Sequence, residues 1–363
     1  MAFTKQNLVS LVKVAVDHGA SDIHIRTEEK PCLRIRGELV PIQTKEFTPE
    51  DMKEIAKMVL QKKDLIERLP TLKEFDGGFA IKGLCRIRYN FLRYDGKIGI
   101  IMRIVNAKIP TIADLGLPSI LKKIAEMKRG LILVTGPTGS GKSTTLASMI
   151  DHINDTKSCH IVTVEDPVEY LHPQKKSRLT QREVGKDTED FNIALRGALR
   201  QDPDVILIGE MRDPETVQIA LKAAETGHTV FSTVHTTNAV ATIGRIISMF
   251  PPEEQKDVRK RLSVNLHSTI SQRMLKRADG KGVVIAQEIM VTTPGIKECI
   301  EGDEPLERIV DIVEEGFGPG GNGSQSFDQH ILWLFENRII DKETALGAVS
   351  SQSDFIQRLN FEN

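Results

Sequence analysis

Hydrophobic and polar positions follow one rhythm in the first third of the chain and another in the remainder. Leu8, Leu11, Val12, Ala15 and Val16 recur at helical spacing, and His18-Gly19 closes that helix. Short alternating runs follow at Asp22–Arg26 and Cys32–Arg36, with a turn at Gly37-Glu38. Thr48-Pro49-Glu50-Asp51 combines an N-cap, a proline in the first turn and two acids, predicting a helix to about Lys63. Alternation returns in Gly78–Ile81, Leu84–Arg93 and Ile98–Ile104, so residues 1 to 105 read as a small α+β domain. Asn106–Pro118, with Pro110 and Pro118, reads as a linker, and residues 119–363 as a second domain.

From Leu131 onward apolar runs and helical patterns alternate, the mark of a parallel sheet covered by helices and so of an α/β fold. Strands are expected at Leu131–Thr135, His160–Val164, Val205–Ile208 and Thr229–Val234. Helices are expected at Ser143–Asn154, Glu189–Arg200 and Pro214–Glu225, the last capped by Asp213 and stopped at Gly227. Another starts at Asn238 and must end near Pro251-Pro252. Beyond Gln287 the pattern is read as mostly helical, interrupted by the glycine-rich run 316–323.

Composition narrows the function classes. Lys plus Arg is 49 against 50 for Asp plus Glu, and aromatic residues make up 5% of the 363. That leaves little for phosphate tracking or base stacking, so no nucleic-acid partner is expected. The cysteines Cys32, Cys85, Cys159 and Cys299 are scattered, which predicts neither a zinc site nor a disulfide framework and fits a reducing cytoplasm. No apolar run approaches the roughly 18 residues of a spanning helix, and MAFTKQNL lacks a signal-peptide core. A cytoplasmic chain that is not inserted in the membrane is expected.

The chemistry concentrates after Leu131-Ile-Leu-Val-Thr135. Gly136-Pro137-Thr138-Gly139-Ser140-Gly141-Lys142-Ser143 fits G-x-x-x-x-G-K-[ST] between a strand and a helix. Glycines let backbone N–H groups curl inward around phosphates; Lys142 would reach the β- and γ-phosphates and Ser143 would offer Mg²⁺ a hydroxyl. Thr144, next in line, joins the nucleotide-binding set. The strand Val205–Ile208 ends in Gly209-Glu210, which places the Glu210 carboxylate at the same sheet edge, for water or the Mg²⁺ shell. His160–Val164 delivers Glu165, Asp166 and Glu169 there too, as candidates for general base or second metal ligand. The sequence leaves open which acid acts, and helix capping accounts for Asp166 equally well. Arg196 and Arg200 share a helix face and Arg212 follows Glu210; each is a candidate cation for the γ-phosphate, and a surface ion pair explains each singly. His228 and His235 flank Thr229–Val234 and are candidate γ-phosphate sensors.

Taken together these residues resemble the bacterial secretion and type IV pilus ATPase superfamily, in its pilus retraction branch. The similarity runs through Gly19–Ile25, the Walker A motif Gly136–Ser143, an aspartate box at Thr163–Tyr170, a Walker B at Gln201–Asp213 and a histidine box at Ala223–Thr237. It implies a PAS-like N-terminal domain joined to a RecA-like P-loop ATPase core, assembled as a homo-hexamer that binds ATP and Mg²⁺. Arg86, Arg88 and Arg103 are the N-terminal positions it implies near the phosphates. It also implies an inner-membrane pilus platform protein as partner, a paralogous retraction ATPase as a second one, and a peripheral location at the pilus machinery. Retraction members carry an Ala-Ile-Arg-Asn-Leu-Ile-Arg-Glu-type helix, whereas Gly295-Ile-Lys-Glu-Cys-Ile-Glu-Gly302 stands here, with Lys297 its only positive charge. The assembly and secretion ATPases of the superfamily are the alternative, disfavoured because they carry a tetracysteine zinc insertion.

Overall fold

The computed structural model describes residues 3–35, 37–81, 83–106 and 109–361. The chain divides into two compact units, Met1–Lys108 and Ile109–Asn363. The first unit runs α1 (Lys5–Asp17), β1 (Asp22–Arg26), β2 (Cys32–Ile35), β3 (Glu38–Pro41), α2 (Pro49–Leu60), α3 (Lys63–Glu67), β4 (Glu74–Ile81), β5 (Cys85–Tyr94) and β6 (Lys97–Asn106). Its strands form one antiparallel sheet in the order β3-β2-β1-β6-β5-β4. Alternation sends Ile23, Ile25, Ile87, Tyr89, Phe91, Ile100 and Met102 to one face, where they bury against Leu8 and Val12 of α1 and Met52 and Ile55 of α2. Thr48 caps α2 reciprocally with Asp51, as its sequence predicts. Arg36, the expected end of the second strand, lies outside the described residues.

The second unit contains α4 (Ile120–Ala125), β7 (Gly130–Thr135), α5 (Lys142–Thr156), β8 (His160–Glu165), β9 (Arg178–Glu183), α6 (Phe191–Ala198), β10 (Val205–Ile208), α7 (Pro214–Glu225), β11 (Thr229–Val234), α8 (Ala239–Ser248) and α9 (Pro252–Asn265). It continues through β12 (Leu266–Lys276), β13 (Val283–Val291), α10 (Pro294–Glu301), α11 (Ile309–Glu315), α12 (Phe327–Glu336), α13 (Lys342–Ala348) and α14 (Gln352–Phe361). The sheet order is β13-β12-β7-β11-β10-β8-β9, parallel throughout except for the edge strand β13. Every residue of β7, β10 and β11 is buried, as continuous apolar strands must be when helices cover both faces. Asp190, Asp213 and Asn238 cap α6, α7 and α8 by accepting a backbone N–H.

In this unit three strands escape the sequence reading, as β3 does in the first. β9 is polar, with Leu179 its only buried residue. The β12–β13 hairpin pairs Val283–Val291 residue for residue with β12, and past it the chain is helical from α10 to α14, as expected for the region beyond Gln287. An apolar run this short fits a buried strand or helix by pattern alone, and its partner strand decides. Of the expected linker, Ala107 and Lys108 lie outside the described residues. Ile112 and Leu117 are buried with Leu121, Ile132 and Ile150 in the core of the second unit.

Candidate active site

The loop 136–141 leaves the carboxyl end of β7 and runs into the amino end of α5, at the sheet edge where open α/β folds bind ligands. Its glycines are needed sterically. Gly136 has φ +143°, and a Cβ there would stand 2.5 Å from Ser140 Oγ and 2.7 Å from the Gln272 carbonyl oxygen. Gly141 has φ +87° and is closed in by Met274 and Ile285. Pro137, Thr138, Gly139 and Ser143 are exposed, whereas Ser140 and Lys142 are buried. The Lys142 ammonium donates to the Gly136 and Pro137 carbonyls at 2.9 and 3.0 Å. Burial pushes its pKa down, and the Glu210 carboxylate opposes that shift. Thr144 is committed elsewhere, its hydroxyl 3.0 Å from that of Tyr170 in the aspartate box.

Glu210 follows β10 at the same edge. It meets the Arg212 guanidinium at 2.7 Å through one oxygen and His235 Nε2 at 3.4 Å through the other. Thr233 steadies this turn by donating to the Gly209 carbonyl at 2.8 Å. Gly209 packs closely here, where a Cβ would stand 3.2 Å from the Val164 carbonyl oxygen and 3.3 Å from Glu165 Cα. Lys142, Glu210, Arg212 and His235 thus converge on the end of one sheet. Glu165 lies beside them, accepting from the Thr163 hydroxyl at 2.7 Å and from Gln181 at 3.4 Å. Burial raises its pKa, partly offset by those bonds and by the backbone of Glu169. Exposed Asp166 contributes charge toward Arg212.

Other expected residues lie apart. The main-chain oxygen of His228 accepts from Gly130 at 3.0 Å, which puts this residue at the amino edge of the sheet. Six residues of β7 then separate it from the loop, about 17 Å of extended chain. Its ring instead faces the Ala223 carbonyl at 2.9 Å, closing α7, so His228 leaves the phosphate-contacting set. Arg200 lies at the same amino edge, because the adjacent Gln201 carbonyl touches the ring of His160, the first residue of β8. Arg196 is exposed and ion-paired with Glu215 at 3.1 Å. In the first unit, Arg88 and Arg103 are cross-strand partners, and Arg86 shares their face of the sheet, opposite Ile87 and Tyr89. Arg103 also donates to Asp22 at 2.9 Å.

Residues beyond the candidate set complete the site. Tyr170 and Gln181 brace the aspartate box, the latter donating to the Tyr170 carbonyl. Gln272 on β12 donates to the Ser140 carbonyl of the loop at 3.1 Å. No sequence signal points to it, because β12 reads Leu-His-Ser-Thr-Ile-Ser-Gln-Arg-Met-Leu-Lys, a mostly polar run in which one more polar residue does not stand out.

The Type II/IV secretion system protein family matches residues 2–315. The type IV pilus retraction ATPase PilT of Pseudomonas aeruginosa is 41% identical over 93% of this chain and 97% of its own. A twitching motility protein of Neisseria gonorrhoeae is 41% identical over 87% of this chain and 83% of its own. The P. aeruginosa pilus ATPase PilU is 35% identical over 95% and 89% of the two chains. Among solved structures, the pilus retraction motor PilT with bound ADP superposes with a TM-score of 0.86, at 41% identity, over 96% of this chain and 99% of that one. The Legionella pneumophila ATPase DotB gives a TM-score of 0.79 at 25% identity, over 95% of each chain.

Proposed function

From its membership of the Type II/IV secretion system protein family, to which the chain belongs, we propose that this protein is an ATP-hydrolysing motor that powers retraction of type IV pili. The observation that carries this reading is the convergence of Lys142, Glu210, Arg212 and His235 at one sheet edge, in a chain 41% identical to a pilus retraction ATPase over nearly its whole length. The loop N–H groups and Lys142 bind the phosphates, with the positive end of α5 behind them. Glu210 orders the attacking water, oriented by Arg212 and His235. Glu165, kept toward its neutral form by burial and tied to Thr163 and Gln181, braces the aspartate box rather than acting as base.

The residues present fit a Mg²⁺ ion. Ser143 is exposed at the start of α5, and the carboxylates of Glu210 and Asp166 stand at the same edge. Among the described residues no group of three or more His, Cys, Asp or Glu side chains forms a metal cage. Magnesium that draws most of its ligands from phosphate and water needs none. Bound there, it would neutralise charge developing on the phosphates.

The working assembly we infer is a homo-hexamer at the inner-membrane pilus machinery, acting on a platform protein; the family resemblance is what assigns Arg86, Arg88 and Arg103 to nucleotide binding. No described helix is long and apolar enough to cross a membrane. One observation favours a second reading, as an accessory to a paralogous motor: α10 carries Lys297 where retraction members carry two arginines. The deciding experiment is a strain lacking this protein, scored for surface pili and for twitching. Abundant pili without movement support the motor; normal retraction moves the reading to the accessory, and bald cells move it to assembly.

A further inference from the structure

The β12–β13 hairpin touches the phosphate loop at three places. Its Gln272 main-chain oxygen approaches Gly136 so closely that any Cβ there would sit 2.7 Å away. The Gln272 side chain donates through Nε2 to the Ser140 carbonyl at 3.1 Å. Met274 and Ile285 close over Gly141, 3.1 and 3.2 Å from where its Cβ would stand. The placement follows from register. β12 runs parallel beside β7 with Ser271 opposite Thr135, so Gln272 is the first residue alongside the loop itself.

Gln272 is fully buried, and its Oε1 has no hydrogen-bond partner among the described residues. Leaving one end of a buried carboxamide unpaired is costly, and an aliphatic side chain in the same space would avoid that cost. The donor end is therefore where the residue's value lies. A trans peptide is planar, so turning the Ser140 oxygen toward the hairpin turns the Gly141 N–H the opposite way, away from it. That N–H belongs to the last glycine before Lys142, in the stretch whose amides cradle phosphate. The hairpin is itself anchored from behind. Opposite Gln272 lies Gln287, whose N–H is accepted by His330 Nδ1 at 2.9 Å and whose carbonyl accepts from Gln325 at 3.0 Å.

We propose that Gln272 is a positioning residue for nucleotide binding, holding the Ser140–Gly141 peptide so that the loop meets phosphate already arranged. The proposal rests on the phosphate-loop reading of Gly136–Ser143. Its test uses the full chain and four proteins: wild type, Gln272→Met, Gln272→Asn and Lys142→Ala. Met keeps the length and removes the donor, whereas Asn keeps the donor and withdraws it by one methylene. ADP and a non-hydrolysable ATP analogue are titrated, KM and kcat for ATP are measured, and melting is followed without nucleotide. Both Gln272 variants are expected to bind the two nucleotides about tenfold more weakly, with KM rising in step, kcat changing much less and the nucleotide-free melting temperature preserved. Use of two variants keeps the test decisive if one folds poorly. Affinity unchanged from wild type in both would overturn the proposal. So would a lowered melting temperature and kcat with KM intact, which is the signature of packing alone. Wild type and Lys142→Ala binding alike would overturn the phosphate-loop reading itself, a result distinct from either.

Discussion

At the scale of single residues the site is an arrangement of charges in unequal environments. Lys142 is buried and reaches back to its own loop, while Glu210 lies between Arg212 and His235. A carboxylate held on two sides can accept a water's proton only if its neighbours leave a lone pair open, and the long 3.4 Å approach of His235 leaves the looser side. Glu210→Gln preserves the shape of this pair and removes the base. The expected outcome is unchanged ATP affinity with turnover reduced about a hundredfold or more, read by nucleotide titration alongside phosphate release. Full hydrolysis in that variant would transfer the role to Glu165 or Glu169. Glu165 and Glu210 were legible in the sequence because each sits one or two residues past an apolar run, where the end of a strand must lie, and Lys142 because it stands in the G-x-x-x-x-G-K-[ST] pattern behind one. Gln272 was not, since it acts on a loop 132 residues away through a contact that only register creates.

Among the elements, agreement between sequence and structure follows the capping residues. Asp213-Pro214 and Asn238 start helices where they were read, because an N-cap is a local interaction. The β12–β13 hairpin was illegible for the opposite reason. Ser268, Thr269, Ser271, Gln272 and Gln287 are fully buried within it, so its pattern shows neither alternation nor an unbroken apolar run. That hairpin also carries a dependence on acidity. His330 of α12 accepts the Gln287 N–H only as a neutral ring, and burial pushes its pKa down to about 4. His172 is likewise held near 4, chiefly by burial. Unfolded histidine titrates near 6.5, so the unfolded chain takes up protons first as pH falls. Stability is therefore whole above that value and declines as pH drops from about 6.5 toward 4, by on the order of 2–3 kcal/mol for each ring. Thermal melts from pH 7.5 to pH 5 should show the decline, and His330→Asn, whose side-chain oxygen can still accept from Gln287, should flatten it. A slope unchanged by that substitution would assign the acid sensitivity elsewhere.

For the molecule as a whole, the position of Arg200 matters most. It stands at the sheet edge opposite the phosphate loop of its own chain, so any service to a γ-phosphate must be rendered to a neighbouring copy. Arg200→Ala alone should lose turnover by about 10³-fold or more while still binding ATP. Mixing it with Lys142→Ala, itself inactive, should restore part of the activity, because each supplies what the other lacks. Steady-state hydrolysis across mixing ratios reads this directly, and no recovery at any ratio would leave Arg200 a surface residue. In the homo-hexamer we propose, copies held close together would face a separate hazard, and the margins of the seven-stranded sheet bear on it. On one side, Gln325 bonds back to Ile289 and closes the rim of β13. On the other, β9 offers only six residues, Arg178-Leu-Thr-Gln-Arg-Glu183, rich in charge and with a single buried side chain. A strand so short and so polar is a poor template for another chain's backbone. Crowded copies thus find little to pair with along the β9 margin of the seven-stranded sheet, and that resistance to amyloid-like accretion resides in the least apolar strand of the fold.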